Sequence, residues 1–251
     1  MNVDFGKAIT NAWKYSTNLK RLAVFTIIFL IAAALIIVPL ILSFRSFAGA
    51  SLLGIIQSLG WLFLGFVIAV LISTYATLVF THNYANQKSL SGSLRYARSR
   101  YLRFLVAIIL ISIISAIVMI VPILGIIFAI IAGLIFYYVR QEIAVSDSSL
   151  SDSFSNSYRL FRGNILDTII SVVLSVILSL VMGIIFFIPL LIAGFSIIAT
   201  ALQTGFMQAI MANIPVFVVT GIIFIIGLVF AMLFLNSMAT DVYMQLKKKK
   251  R

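Results

Sequence analysis

The acid–base material in this chain is sparse: six Asp and Glu and one histidine among 251 residues, with no cysteine. Proton transfer and nucleophilic catalysis both need two or more such groups held together. His82 has no carboxylate near it in sequence. A zinc-type site needs three or four His, Cys or carboxylate ligands, and the six acids are dispersed. No glycine-rich phosphate loop and no nucleophile elbow are present. Catalytic, cofactor-binding and metal-binding residues are therefore none, and the expectation is a protein that is not an enzyme.

One acid stands at the edge of a long uncharged stretch. Asp167 opens a stripe of small polar residues, Asp167, Ser171, Ser175 and Ser179, followed by Gly183. A spacing of four keeps all five near one face of a helix. Such a face serves either a wetted pathway or close packing of helices through small residues, and packing is the commoner use. Gly65, Ala69 and Ser73 repeat the spacing elsewhere. Cations form the other concentrations: Arg95, Arg98, Arg100 and Arg103, then Lys247, Lys248, Lys249, Lys250 and Arg251. Clustered between apolar runs, they suit anionic lipid headgroups. The sharper alternative is an acidic cytoplasmic partner or nucleic acid.

The elements that carry these residues follow from composition. The chain is 63% hydrophobic and 10% charged, with a mean hydropathy of +1.22. Soluble domains carry about 25% charged residues, so the natural solvent here is lipid. A crossing takes about 20 apolar residues. Leu22–Phe44 makes one span and Leu59–Phe80 another, with Ser46–Ser58 as an outer loop or short half-helix. The uncharged stretch Phe104–Val139 is about 54 Å long as one helix. Val121-Pro122-Ile123-Leu124-Gly125 at its middle splits it into two short spans. Thr168–Thr240 holds two spans or three.

Charge decides that count. With six spans, every one of the 18 Lys and Arg residues except Arg45 lies on one side, as the positive-inside rule requires of a cytoplasmic face. A seventh span would carry Lys247–Lys250 and Arg251 across. Six spans leave Leu190–Ile214, bracketed by Pro189 and Pro215, to be re-entrant or to lie at the outer surface. Its Gln203, Thr204, Gln208 and Asn213 suit buried or wetted backbone. His82 falls at a membrane–water boundary, where a polar side chain is expected to snorkel.

Three amphipathic stretches precede the helix pairs. Their apolar positions are Phe5, Ile9, Ala12 and Trp13; Leu90, Leu94, Ala97 and Tyr101; then Leu150, Phe154, Tyr158 and Phe161. These are helical spacings with basic residues on the other faces. Asp4, Ser89 and Ser149 stand where an N-cap belongs. The fold expected is all-α: a polytopic membrane bundle of about six helices in three hairpins, each led by an amphipathic interfacial helix. The whole chain, 1–251, is one integral membrane domain with parallel internal repeats at about 3–84, 89–140 and 149–246.

The third lead-in, Ser153-Phe154-Ser155-Asn156-Ser157-Tyr158-Arg159-Leu160-Phe161-Arg162-Gly163-Asn164, follows an acidic loop at Glu142–Asp147. With the closing Ala239-Thr240-Asp241-Val242-Tyr243, it resembles a broad group of prokaryotic six-helix membrane proteins. The membrane domain fused to some glycerophosphodiester phosphodiesterases belongs to that group. The resemblance covers the chain from about Tyr137 onward and implies no chemistry of its own, because the phosphodiesterase reaction belongs to a separate soluble barrel.

The expected role is a non-enzymatic scaffold or assembly subunit of the cell membrane, with both termini cytoplasmic. A pore subunit for a solute or polymer, DNA included, is the alternative, and a secondary transporter a further one. The partners expected are an anionic bilayer, a membrane or cytoplasmic protein, and a second copy of the chain; nucleic acid enters only for a translocation subunit. The absence of cysteine makes the topology directly testable. A single cysteine placed beyond Lys250 should resist impermeant thiol reagents in intact cells and react once the membrane is opened; labelling in intact cells would reverse the count.

Overall fold

The computed structural model describes residues 3–47, 52–86, 89–120 and 124–248. It is helical throughout: α1 (Phe5–Ser16), α2 (Leu19–Phe47), α3 (Leu52–Asn86), α4 (Leu90–Val118), α5 (Leu124–Ile135), α6 (Val139–Ser146), α7 (Leu150–Gly163), α8 (Ile165–Thr204) and α9 (Phe206–Lys248). Six of the stretches are long and apolar enough to cross a membrane, with α5 and α6 together forming one. The chain is a multi-pass membrane helix bundle.

The three expected N-caps all form. Asp4 accepts from the N–H of Lys7, Ser89 from that of Gly92, and Ser149 from that of Asp152. Each satisfies one of the amides that a helix start leaves open. The lead-ins then part ways. α1 stops at Thr17 and α2 restarts after Asn18, whose Oδ1 accepts from the N–H of Arg21. α7 stops at Gly163-Asn164, and Asn164 begins α8. The second lead-in does not stop. Tyr101-Leu102-Arg103-Phe104 contains no breaker, so it runs into its span as one helix, α4.

Two expectations about the far end need correction. Leu52–Ser58 is neither a loop nor a separate half-helix but the start of α3. Leu190–Ile214 is neither re-entrant nor laid along the surface. It is the outer part of a long helical hairpin, α8 and α9, which turns at Gly205. Pro189 and Pro215 sit inside these helices without ending them. A proline removes one helical hydrogen bond, whereas unwinding an apolar segment in lipid would strand several. The turn falls at Gly205 because its φ of +88° is open to glycine and strained for other residues. The polar residues of this stretch divide accordingly. Gln203, Thr204 and Gln208 are exposed around the tip. Asn213 is buried and ties the two helices, accepting from the Ser196 hydroxyl and donating to the Ala209 carbonyl.

The hairpins are unequal. α5 has 12 residues and α8 has 40, or about 18 Å against about 60 Å. The α4–α5 turn is tight: a Cβ on Gly125 would lie 2.6 Å from the Val118 carbonyl oxygen. Pro122, expected in that turn, lies outside the described residues. Buried side chains gather at the end of the bundle where the lead-ins sit, here the basic end. One cluster joins Tyr15, Phe25, Phe80, Phe104, Ile143 and Leu233. The other joins Ala8, Tyr138, Leu160, Phe234, Met238 and Tyr243. Among the described residues neither cluster draws on the hairpin between Phe186 and Ile225.

The Gly65 stripe is a packing face. A Cβ on Gly65 would lie 2.0 Å from the backbone oxygen of Leu35, and Ala69 is buried. Gly65→Ala should therefore force α2 and α3 apart and cost about 1–3 kcal/mol. Gly60→Ala, with nothing within 4 Å, should be neutral or slightly stabilising. Thermal unfolding midpoints in detergent separate the two; equal midpoints would contradict the close approach.

Candidate functional site: the polar platform at the basic end

Here the closing residues of α9 meet α1, α3, α6 and α7. α1 lies against α9, with the Trp13 ring edge-on to Phe230 at 5.4 Å and to Phe234 at 6.3 Å. Asp4 and Gln245 exchange two hydrogen bonds, Asp4 N–H to Gln245 Oε1 and Gln245 Nε2 to the Asp4 carbonyl. The start of α1 and the end of α9 therefore lie together. Asp241 is buried and accepts from the Asn11 amide at 2.8 Å and the Tyr84 hydroxyl at 3.2 Å. Tyr15, buried among these groups, donates to Asn83 Oδ1. Its hydroxyl is pushed well above the usual tyrosine range by burial, with the nearby Arg21 guanidinium opposing that shift.

A second polar knot surrounds Glu142. This carboxylate is buried, which is tolerable only with partners of the right kind. Lys247 forms an ion pair with it at 3.2 Å. Ser148 and Asn156 donate to it as well. Lys247 also reaches Ser146 and Tyr243, and those two hydroxyls bond each other at 2.6 Å. α6, α7 and α9 are thus joined through one carboxylate.

A third contact closes the loop between α6 and α7. Arg100 holds Asp147 with two hydrogen bonds of 2.6 Å, and Arg103 adds a third at 3.3 Å and reaches the Ser148 carbonyl. Arg100, through its hydrogen bonds, holds the Asp147 carboxyl below the usual carboxylate range.

These contacts sort the cations singled out from the sequence. Arg100, Arg103 and Lys247 hold the protein together. Arg95, Arg98 and Lys248 are exposed and remain open to lipid or a partner. Lys249, Lys250 and Arg251 lie outside the described residues. Three further cations, Lys7, Lys14 and Arg21, were not singled out. Lys7, Lys14, Arg21 and Lys248 border an open cavity of about 570 Å³ among α1, α2, α3 and α9, facing the single carboxylate of Asp241. Lys7 and Lys14 are one heptad apart on α1, the only signal that could have grouped them. The wall suits an anionic group.

His82 requires correction. It does not snorkel: it is buried, its Nδ1 lies 3.2 Å from the Ser93 hydroxyl, and its ring stacks on Tyr96 at 3.9 Å. The first turns of α4 pack over it.

The serine stripe is split by the fold. Asp167 and Ser171 are buried. Ser171 donates to the Tyr137 hydroxyl at 3.3 Å, and Ser175 lies 2.9 Å from the same hydroxyl. This end packs the third hairpin against the second. Ser175 and Ser179 then line a shallow lateral cleft with Tyr137 and Leu235. Gly183 has no neighbour within 4 Å of a Cβ position.

Residues 113–246, from the last turns of α4 to the end of α9, match the family described as Domain of unknown function (DUF7847). The chain belongs to this family. The matched region takes in the Glu142 knot, the serine stripe and the unequal hairpin, and leaves out α1, α2 and α3. No curated protein and no solved structure matches the chain.

Asp147 provides a test of the platform. Its φ is +51°, a conformation Asn tolerates and Ala does not. Asp147→Asn keeps the backbone but removes the charge, and should lower the unfolding midpoint modestly; Asp147→Ala should lower it further. The folded-state carboxyl is the more acidic, so its contribution is complete above the unfolded value of about 3.9 and is lost as pH falls through the lower folded value. The midpoint gap between wild type and Asp147→Asn should be constant above about pH 5 and shrink below about pH 4. A gap that is the same at both ends would remove the charge from the explanation.

Proposed function

We propose that this family member is a non-enzymatic assembly subunit of the membrane, which docks other membrane helices on the outer part of its α8–α9 hairpin. The observation that carries this reading is the hairpin's length and apolarity. α8 is 40 residues long, about 60 Å. Even at a steep 40° tilt it rises about 46 Å, against about 30 Å of hydrocarbon. Its outer part stays apolar and uncovered: Leu191, Ile192, Phe195, Ile198 and Leu202 are all exposed, Leu202 at 86%. Each such side chain costs about 1.5–3 kcal/mol when left in water. A pair of helices with that surface calls for company.

The charge distribution supports placing both termini in the cytoplasm of a cell-membrane protein. The basic cavity beside α1 suits lipid headgroups or an acidic cytoplasmic partner there.

A photo-crosslinking residue at Ile198 tests the docking. It should join a second protein chain, either another copy or a companion subunit, in native membranes. The same probe at Ile131 on the short hairpin should join lipid. If Ile198 yields lipid alone and the protein migrates as a monomer in native gels, the docking role fails.

A further inference from the structure

A cavity of about 340 Å³ lies between the short hairpin and the long one, at the level where α5 gives way to α6. Its polar wall is drawn from four elements: Tyr137 before α6, Arg140 and Gln141 on α6, Ser175 on α8 and Asn236 on α9. Asn236 is about 16 Å along α9 from Lys247, counted at 1.5 Å per residue. The cavity therefore lies just beneath the charged end of the bundle. Ile111 and Leu235 complete an apolar wall toward the flank.

Arg140 is the anomaly. Among the described residues the ion-paired cations are Arg100 and Arg103, which share Asp147, and Lys247, which takes Glu142; Arg140 differs from the remaining cations in lining a cavity between the hairpins. Among the described residues Arg140 has no carboxylate within ion-pair distance, and its side chain, exposed at the flank, lines a cavity walled by helices. A charge beneath the membrane boundary is held by a counter-charge, and the anion most available there is a lipid phosphate. The neighbouring groups also lack partners. Gln141 is 3% exposed, and its Oε1 is buried with no donor. Among the described residues the Asn236 carboxamide has no hydrogen-bond partner, although its backbone carbonyl accepts from Thr240.

We infer that this cavity is a binding site for the headgroup of an anionic phospholipid, entered from the flank of the bundle between the two hairpins. Arg140 takes the phosphate through its planar fork of donors. Asn236 donates from its NH2 group, and the Ser175 hydroxyl, which here donates to the Ser171 carbonyl, turns to donate to the headgroup instead. Turning the Gln141 carboxamide toward the cavity lets a headgroup hydroxyl donate to its orphaned oxygen. The acyl chains run out past Ile111 and Leu235. Free phosphate shares the anionic chemistry, but it has no use for the apolar flank.

The test uses the full chain in a non-ionic detergent, with lipid adducts counted by native mass spectrometry and stability followed by thermal unfolding. The probes are dioctanoyl phosphatidylglycerol, dioctanoyl phosphatidylcholine and inorganic phosphate. The glycerol lipid should bind at least tenfold more tightly than the choline lipid. Arg140→Gln should abolish that preference, and Arg140→Lys should keep part of it. Arg95→Gln, at an exposed cation outside the cavity, should stay within twofold of wild type. Asn236→Leu fills the cavity while keeping Arg140 and should also abolish the preference, so the test survives if Arg140→Gln does not fold. An unchanged preference in either Arg140→Gln or Asn236→Leu overturns the site. Stabilisation by inorganic phosphate equal to that by the glycerol lipid overturns the lipid as its occupant.

Discussion

The surface on which the rest of this protein depends is the closing segment of α9, from Val229 to Lys247. Residues of this segment belong to both buried clusters. Three neighbours are also fastened to it by polar contacts near the charged end. α1 attaches through Asp4–Gln245 and Asn11–Asp241, α3 through Tyr84–Asp241, and α6 through Ser146–Tyr243 and Glu142–Lys247. Among lipid-facing helices apolar contact discriminates little, because lipid tails are as apolar as leucine side chains. Directional bonds to buried carboxylates choose which helices sit side by side. Asp241 and Glu142 supply those bonds from a chain with only six acids.

Below this platform the constraint changes from polar pairing to backbone satisfaction. A helix in lipid keeps its own hydrogen bonds, and leaving it strands amides and carbonyls. Pro189 and Pro215 are therefore absorbed, and the chain turns only where Gly205 allows a positive φ. The result is a hairpin far longer than its neighbour α4–α5. Its outer part is held to itself by Asn213, Ser196 and Thr200 and by nothing in either buried cluster. The difference in length leaves a flank open on α8 and α9. Near the platform the gap between the two hairpins becomes the Arg140 cavity.

The cations follow the same division. Those whose side chains can reach a carboxylate become structural, as Arg100, Arg103 and Lys247 do. Those on outward faces, Arg95, Arg98 and Lys248, are left to the surroundings. The serines of α8 behave alike: Ser171 is buried against Tyr137, and two turns later Ser179 is exposed. One periodic pattern thus serves packing at one end and a cleft at the other.

By itself the sequence determined the class and much of the plan. Apolar runs of span length, the even number of crossings and the three capped lead-ins were legible because they rest on local physics: transfer to lipid, charge asymmetry and N-cap hydrogen bonds at Asp4, Ser89 and Ser149. Tertiary structure alone decided the rest. His82 reads as an interfacial side chain until Ser93 and Tyr96 fold over it. Leu190–Ile214 reads as an interruption until α8 and α9 pack on each other and make a continued helix cheaper than a break. The function of the basic stripe could not be read because pairing is a long-range property: Arg100 and Asp147 are 47 residues apart, and only the fold brings them within 2.6 Å.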